Sequence, residues 1–96
     1  VLRADGTGDG GLFTGILARY LALAATTPVT AEGCRDAAEL VLATAGAAWT
    51  NRGMAHGGPA FAADWTTAGG RPAADLSVQL SAWMVLEAAA RLERIP

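Results

Sequence analysis

Apolar residues recur at helical spacing in three parts of the chain, and the three patterns differ. From about Gly10 to Thr26 the chain is apolar on nearly every side, and Arg19 is the only charged residue. A helix without a wet face is buried on most sides, so this segment predicts a helix surrounded by protein. Gly15 lies within it, where glycine costs about 1 kcal/mol relative to alanine, and its presence indicates close packing against a neighbour.

The second pattern runs from about Ala31 to Trp49 and has one wet side. Charged residues recur there at i, i+3, i+4 and i+7, namely Glu32, Arg35, Asp36 and Glu39. The opposite side is a dry stripe of Cys34, Ala38, Val41, Ala45 and Ala48. The pattern predicts a helix that packs through one face and meets solvent with the other, with Thr30 as its N-cap.

The third pattern runs from about Ala74 to Arg94. It begins with small polar residues, whereas residues 82–86 contain none. Its expected core consists of the bulky apolar residues Leu76, Leu80, Trp83 and Met84. No stretch alternates cleanly enough between apolar and polar residues to predict a strand. The predicted fold class is therefore all-α, as a single unit over residues 1–96.

The two connections between these helices differ in length. The first, Thr26 to Thr30, is short and predicts that the first two helices form an antiparallel hairpin. The second, Thr50 to Pro72, is long and rich in glycine, and it carries the polar and aromatic residues Asn51, Arg52, His56, Phe61, Asp64 and Trp65. Long loops of this kind are usually functional. Chain direction brings this loop to the same end of the bundle as the starts of the first and third helices, so a site is expected there.

Composition and charge exclude several classes of function. The chain has 7 arginines, no lysine and 9 acidic residues, for a net charge of −2, so it has no basic excess with which to bind nucleic acid. No apolar run approaches the roughly 18 to 20 residues of a membrane span. The single cysteine, Cys34, cannot close an internal disulfide and has no zinc-ligand cluster around it. We expect neither a metal nor a cofactor.

The same composition indicates that the chain is part of something larger. It is 52% hydrophobic and only 17% charged, whereas a domain of 96 residues has a high surface-to-volume ratio and needs more polar surface than this. The excess apolar surface is expected to be buried against another structure. The sequence starts at Val1 without a methionine or a signal peptide, so we expect the native amino terminus to be processed or to lie elsewhere.

Two glycine-rich patterns near the start of the chain carry less weight. The segment GTGDGG, residues 6–11, matches the dinucleotide-binding fingerprint, but no convincing strand precedes it and none follows the helix. The segment DGTGDG, residues 5–10, resembles the opening of a calcium loop, but Ile16 stands at the twelfth position, where a glutamate ligand belongs. The favoured interpretation is a turn in which Asp9 caps the first helix. His56, the only histidine, is interpreted as a solvated loop residue, since no nucleophilic triad can be assembled from it.

The three tryptophans are the strongest remaining signal. Sugars stack their apolar faces on aromatic rings, and tryptophans at one end of a helical bundle suit that use. For Trp83, in mid-helix, core packing is the favoured interpretation, whereas for Trp65, on the loop, packing and sugar binding stay equally open. No pair of carboxylates has a spacing that indicates acid–base catalysis.

Four short segments, taken in order, resemble glycoside hydrolase family 76. DGGLFTGILARYL at residues 9–21 resembles the family's FKGIFxRYL segment, and AAWTNR at residues 47–52 resembles its SAWxNR segment. FAADW at residues 61–65 is similar to a short stretch that ends in tryptophan, and QLSA at residues 79–82 resembles the QxSA of the closing helix. The likeness covers nearly the whole chain. Thr14 departs from it, since many members carry lysine there.

The resemblance implies an endo-α-1,6-mannanase or a relative, acting on fungal or bacterial α-mannan with retention of configuration. It implies an (α/α)6 barrel with a cleft at one end, and a secreted or cell-surface location. The three helices resemble the last part of that barrel, with the first and third in the inner ring and the second in the outer ring. The family's catalytic pair is two adjacent aspartates upstream of the matched region, and this chain has no Asp-Asp dipeptide.

We therefore expect a carboxy-terminal part of the catalytic domain of such an enzyme, unable to hydrolyse α-mannan alone. In the complete protein, Trp65, Trp49, Asn51 and Phe13 are predicted to line or support the sugar cleft, and Arg19 to be a buried ion-pair partner. The expected partners are α-mannan or a manno-oligosaccharide and the remainder of the barrel. The alternative is a non-enzymatic helical module that uses an exposed apolar face to bind a partner protein or itself.

Overall fold

The structure is a computed structural model, and it describes residues 1–2, 8–26, 31–66, 72–73 and 75–93. After a short 3-10 helix, Gly8–Leu12, the elements in chain order are the helices α1 (Phe13–Thr26) and α2 (Ala31–Thr50), the strands β1 (Gly53–Ala55) and β2 (Gly58–Ala60), and the helix α3 (Leu76–Glu93). Each helix packs against both of the others. The predicted all-α class and the three predicted helices are confirmed.

Several predictions concern residues outside these ranges. The short connection between α1 and α2, its Thr30 cap and residues 5–7 of the glycine-rich patterns are among them. The predicted cap by the Asp9 side chain likewise lies outside what the structure describes. No helix within the described ranges is long and apolar enough to cross a membrane.

The long loop contains a β-hairpin, so the prediction that the chain has no strand was wrong. β1 and β2 pair in antiparallel fashion, with Gly53 opposite Ala60 and Ala55 opposite Gly58. His56 and Gly57 form the two-residue turn, and both have positive φ angles, 51° and 80°. Two residues with positive φ are what a type I′ hairpin turn requires. Strands of three residues are too short to show an alternating pattern, which is why the sequence concealed them.

Helices α1 and α3 approach each other closely at Gly15. A methyl group added to Gly15 would lie 2.7 Å from the Cα atom of Ser81 in α3. The hydroxyl of Ser81 accepts a hydrogen bond of 2.7 Å from the Gly15 N–H, one of the donors that a helix start leaves without an intrahelical partner. The close packing predicted at Gly15 is therefore confirmed, and Ser81 stabilises the start of α1 from a neighbouring helix.

Helix α2 has the predicted wet and dry sides. The side chains of Glu32, Arg35, Asp36 and Glu39 are exposed, whereas Val41, Ala45 and Ala48 are buried. The dry side faces a core made mostly of small residues from all three helices, together with Phe61 and Trp65 of the loop. The amide of Leu2 also reaches this helix, donating to the Thr44 hydroxyl at 2.8 Å.

Helices α1 and α3 bury their small residues and expose many of their large ones, contrary to prediction. The buried side of α1 is Thr14, Gly15, Ala18 and Ala22, and that of α3 is Val78, Ser81, Ala82, Val85, Ala88 and Ala89. The large exposed residues are Phe13, Ile16, Leu17, Tyr20 and Leu23 on α1 and Leu76, Leu80 and Trp83 on α3. Leu76, Leu80 and Trp83 therefore lie outside the core of this chain. The small side chains on the other side of each helix let the helices approach closely, and those small side chains form the core.

Candidate functional site

The loop segment Phe61–Trp65 is fastened to the bundle at its first residue by the side chain of Gln79. The Phe61 N–H donates to Gln79 Oε1 at 2.9 Å, and the Phe61 carbonyl accepts from Gln79 Nε2 at 2.8 Å. The Phe61 ring is 1% exposed and belongs to the core. The backbone of Phe61 is therefore fixed to the start of α3, and its side chain is fixed in the core.

Gln79 also holds the returning arm of the same loop. Its Nε2 donates to the carbonyl of Ala73 at 2.9 Å, and the Ala73 N–H donates to the Phe61 carbonyl at 3.0 Å. One side-chain amide thus joins two loop positions that are far apart in sequence. Pro72, the residue before Ala73, packs closely against Gly53 of the hairpin. A methyl group added to Gly53 would lie 2.9 Å from Pro72 Cγ.

The last residue of the segment is fastened by Asn51. Its Nδ2 donates to the carbonyl of Trp65 at 2.8 Å. Asn51 directly follows α2 and extends its hydrogen bonding, since its N–H donates to the carbonyl of Ala47 at 3.0 Å. The structure therefore brings together two of the predicted site residues, Asn51 and Trp65.

The Trp65 side chain is part of the core, with 4% of its surface exposed. Its Nε1 atom is buried and has no hydrogen-bond partner among the described residues. A buried indole N–H usually finds an acceptor. In this chain the ring packs in the core and offers almost no face to solvent.

Trp49, by contrast, lies on the surface, 46% exposed. The guanidinium carbon of Arg52 lies 3.8 Å from the centroid of its ring, and an Arg52 N–H donates to the Trp49 carbonyl at 2.7 Å. This cation–π contact covers one face of the indole and fixes the ring's position at the end of α2. Phe13, the fourth predicted residue, is 58% exposed at the first residue of α1.

The carboxylates near this end of the bundle act as local caps. Asp75 Oδ1 accepts hydrogen bonds from the N–H and the hydroxyl of Ser77, at 2.9 and 2.6 Å, so Asp75 is the N-cap of α3. Asp64 Oδ1 accepts from the N–H and the hydroxyl of Thr66 in the same way. Across the described residues, no three histidine, cysteine, aspartate or glutamate side chains are grouped so that they could hold a metal.

A groove between α1 and α3 lies at the other end of the bundle. It has a volume of about 880 Å³ and runs between the second halves of α1 and α3, where Arg19, Tyr20, Glu87 and Arg91 line it. Arg19 is exposed there in this chain, and its burial as an ion-pair partner in the complete protein stays a prediction. His56 is exposed in the hairpin turn, as predicted.

Sequence reasoning missed the roles of Gln79 and Ser81. Both appeared only as small polar residues at the start of a helix and as letters in the QLSA segment. The available signal was the presence of polar residues among the apolar residues of a helix, which indicates that they have hydrogen-bond partners in the fold. Their partners, Phe61 and Gly15, are 18 and 66 residues away in sequence, which no local pattern can indicate.

Solved structures of an α-1,6-mannanase, GH76A from Salegentibacter sp. HEL1_6, are similar to this chain. The enzyme matches with a TM-score of 0.79 and 37% identity, over 95% of this chain and 26% of that one. An inactive variant with two consecutive aspartates replaced, in complex with α-1,6-mannotriose, matches with a TM-score of 0.78 and 39% identity over the same shares. A second such variant, in complex with α-1,6-mannotetrose, matches with a TM-score of 0.79 and 37% identity.

The chain therefore spans about a quarter of the length of the enzyme it resembles. Its three helices match the helical (α/α)6 barrel fold of that enzyme. No family model matches the sequence, and no curated protein matches it significantly.

Proposed function

Because the chain belongs to glycoside hydrolase family 76, we propose that it forms part of the sugar cleft of an α-1,6-mannanase whose remaining helices supply the catalytic aspartates. The observation that carries this proposal is the likeness, over 95% of the chain, to an enzyme solved with α-1,6-mannotriose. Polymeric α-mannan is too large to enter a cell, so we propose a secreted or cell-surface location as well.

The chain alone is proposed to be inactive. Retaining glycosidases use two carboxyl groups that flank the scissile bond, about 5 to 5.5 Å apart. The chain has no adjacent aspartates, and Asp64 and Asp75 each accept hydrogen bonds from a residue two positions further on. Neither is arranged to attack a sugar or to protonate a leaving oxygen.

Phe13 and Trp49 are the residues proposed to line the cleft, and Trp65 and Asn51 to support it. Exposed aromatic rings can stack on the apolar face of a mannose unit, and Phe13 and Trp49 are 58% and 46% exposed. Trp65 is buried, and Asn51 holds its backbone. The two roles are assigned by burial. A buried ring such as that of Trp65 can shape the cleft wall from within, whereas an exposed ring can contact the sugar directly.

The large exposed residues of α1 and α3 other than Phe13 are proposed to pack against the remainder of the barrel. Tyr20, Leu23 and Trp83 are each more than half exposed in this chain. Such apolar patches on a soluble protein usually mark an interface. In a double ring of helices, the inner helices α1 and α3 also pack against helices on the side that α2 does not cover. Such packing would bury the exposed apolar sides of both α1 and α3.

The proposal is tested with the complete native reading frame that contains these 96 residues, alongside the 96-residue chain. We expect the complete protein to hydrolyse α-1,6-linked manno-oligosaccharides and to lose this activity when its adjacent aspartates become asparagines. The chain alone should release no sugar. Trp49→Ala in the complete protein should weaken mannotriose binding by roughly two- to tenfold, the value of one aromatic contact. Leu42→Ala, at another exposed apolar residue of α2, is the matched control and should leave binding unchanged.

The alternative, a helical module that binds a partner protein or itself, draws on the same exposed faces. A complete reading frame that lacks adjacent aspartates and shows no mannotriose binding would overturn the mannanase proposal in its favour. Self-association of the 96-residue chain alone does not discriminate, because a separated part of a barrel would also associate through its exposed faces.

A further inference from the structure

We propose that Gln79 and Asn51 are a pair of positioning residues that set the place of the Phe61–Trp65 segment at the cleft end of the bundle. The proposal rests on the proposed function, since it assigns this segment to the wall of the sugar cleft. It goes beyond that function by naming the two side chains on which the wall's geometry depends.

The hydrogen bonds at the two ends of the segment carry the proposal. Gln79 bonds both backbone groups of Phe61, at 2.9 and 2.8 Å, and Asn51 bonds the carbonyl of Trp65 at 2.8 Å. A five-residue segment without helix or strand structure thus has its backbone fixed at its first and last residues. Amide side chains suit this task because they can donate and accept at once, as a neighbouring strand would.

The helix ends place the two amides where they can act. Asn51 follows the last residue of α2, and Gln79 is the fourth residue of α3. Asp75 caps α3, and the N–H of Gln79 itself donates to the carbonyl of Asp75 at 3.3 Å. The position of Gln79 is therefore set by a well-formed helix start, and the segment inherits the geometry of the bundle.

The position of Trp65 depends on these two hydrogen-bonded residues, because the indole Nε1 of Trp65 makes no hydrogen bond within the described residues. The ring is held by apolar packing and by the backbone to which it is attached. Packing keeps the ring in the core, and the anchored backbone sets the point from which the ring enters it. Loss of an anchor should therefore shift the ring and the backbone beside it without unfolding the helices.

The test compares three substitutions in the 96-residue chain by hydrogen exchange. Gln79→Met keeps most of the side-chain volume and removes every hydrogen bond, and Gln79→Glu keeps the acceptor for the Phe61 N–H but loses both donors. Val41→Ala, at a fully buried residue in the middle of α2, is the control for general destabilisation. After correction for global stability, both Gln79 variants should raise amide exchange at Ala73 by about tenfold, and Gln79→Met should do so at Phe61 too.

Two further readouts separate positioning from plain stability. The indole N–H resonance of Trp65 should shift in Gln79→Met and stay in place in Val41→Ala. In the complete protein, Gln79→Met should weaken binding of α-1,6-mannotriose by about three- to tenfold, while Val41→Ala leaves it unchanged.

The outcomes are distinct. Equal exchange at Phe61 and Ala73 in Gln79→Met and Val41→Ala would overturn the proposal. Altered exchange with unaltered mannotriose binding would overturn the positioning of the cleft and leave Gln79 as a stabilising residue of the loop. If the unsubstituted complete protein bound no mannotriose, the proposed function would fail, while exchange and the Trp65 resonance would still decide whether Gln79 sets the segment.

Discussion

Replacing Gly15 by alanine should destabilise the chain, although alanine is the better helix former. The added methyl group would lie 2.7 Å from Ser81 Cα and 2.9 Å from the Ser81 carbonyl oxygen. Ordinary contact begins at 3.4 Å, so α1 and α3 must move apart by about 0.7 Å. Both of these atoms are backbone, and no rotation of the Ser81 side chain can relieve the contact.

The magnitude follows from three contributions. Overpacking in a well-packed core costs about 1 to 3 kcal/mol. Separation of the helices also stretches the 2.7 Å hydrogen bond from the Gly15 N–H to the Ser81 hydroxyl, worth about 0.5 to 1.5 kcal/mol. The higher helix propensity of alanine returns about 1 kcal/mol. The net loss in free energy of unfolding should be roughly 0.5 to 3.5 kcal/mol. Each kcal/mol of that loss lowers Tm by about 4 to 8 °C for a chain of this size.

Urea unfolding followed by circular dichroism measures this loss. Gly46→Ala is the matched control, because Gly46 lies in α2 and a methyl group there meets nothing within 4 Å. That substitution should stabilise the chain by up to about 1 kcal/mol. The double variant Gly15→Ala with Ser81→Ala should remain destabilised, since the backbone of Ser81 stays in place. Recovery of stability in the double variant, or equal effects of the two glycine substitutions, would refute the reasoning.

Two further predictions concern the ends and faces of α3. Asp75→Ala should lower the free energy of unfolding by about 1 kcal/mol through loss of the N-cap, whereas Asp75→Asn keeps an acceptor for the Ser77 N–H; equal losses in urea unfolding would contradict the capping role. Trp83→Ser and Leu80→Ser should change the stability of the 96-residue chain by no more than about 0.5 kcal/mol, because exposed residues contribute little. In the complete protein the same two substitutions should lower Tm clearly, and unchanged Tm values there would contradict the proposed interface with the barrel.

The helices and the solvent side of α2 could be predicted because they depend on local periodicity. The run of charges from Glu32 to Glu39 decides which side of α2 is wet, whatever the helix packs against. The hairpin could not be predicted, since its strands have three residues each and its turn uses His56 with a positive φ angle, where asparagine or glycine is usual. Histidine tolerates this conformation better than most residues, but a single histidine is a weak signal.

The meeting of the long loop with the starts of α1 and α3 was predicted, whereas the use of this end of the bundle as a site stays a prediction. Chain direction alone put the long loop beside the starts of α1 and α3, and the hydrogen bonds of Gln79 and Ser81 show these elements joined. The burial of Trp65 and the exposure of Trp83 could not be predicted, because both follow from how the chain packs in three dimensions. A tryptophan in a loop and a tryptophan in a helix look alike to a hydrophobicity pattern.

The distribution of residue sizes on α1 and α3 explains why the apolar pattern predicted the helices correctly but assigned the wrong residues to the core. Each helix carries small residues on the side that packs within this chain and large apolar residues on the side that does not. Large apolar residues contribute most to a hydrophobic pattern. The pattern therefore predicts that the side of the helix with the large residues is buried, which is not the side that packs within this chain. If the remaining helices of a barrel cover that face, the prediction of Leu76, Leu80 and Trp83 as core residues describes the complete protein, and the exposure seen in this chain measures the area that those helices bury.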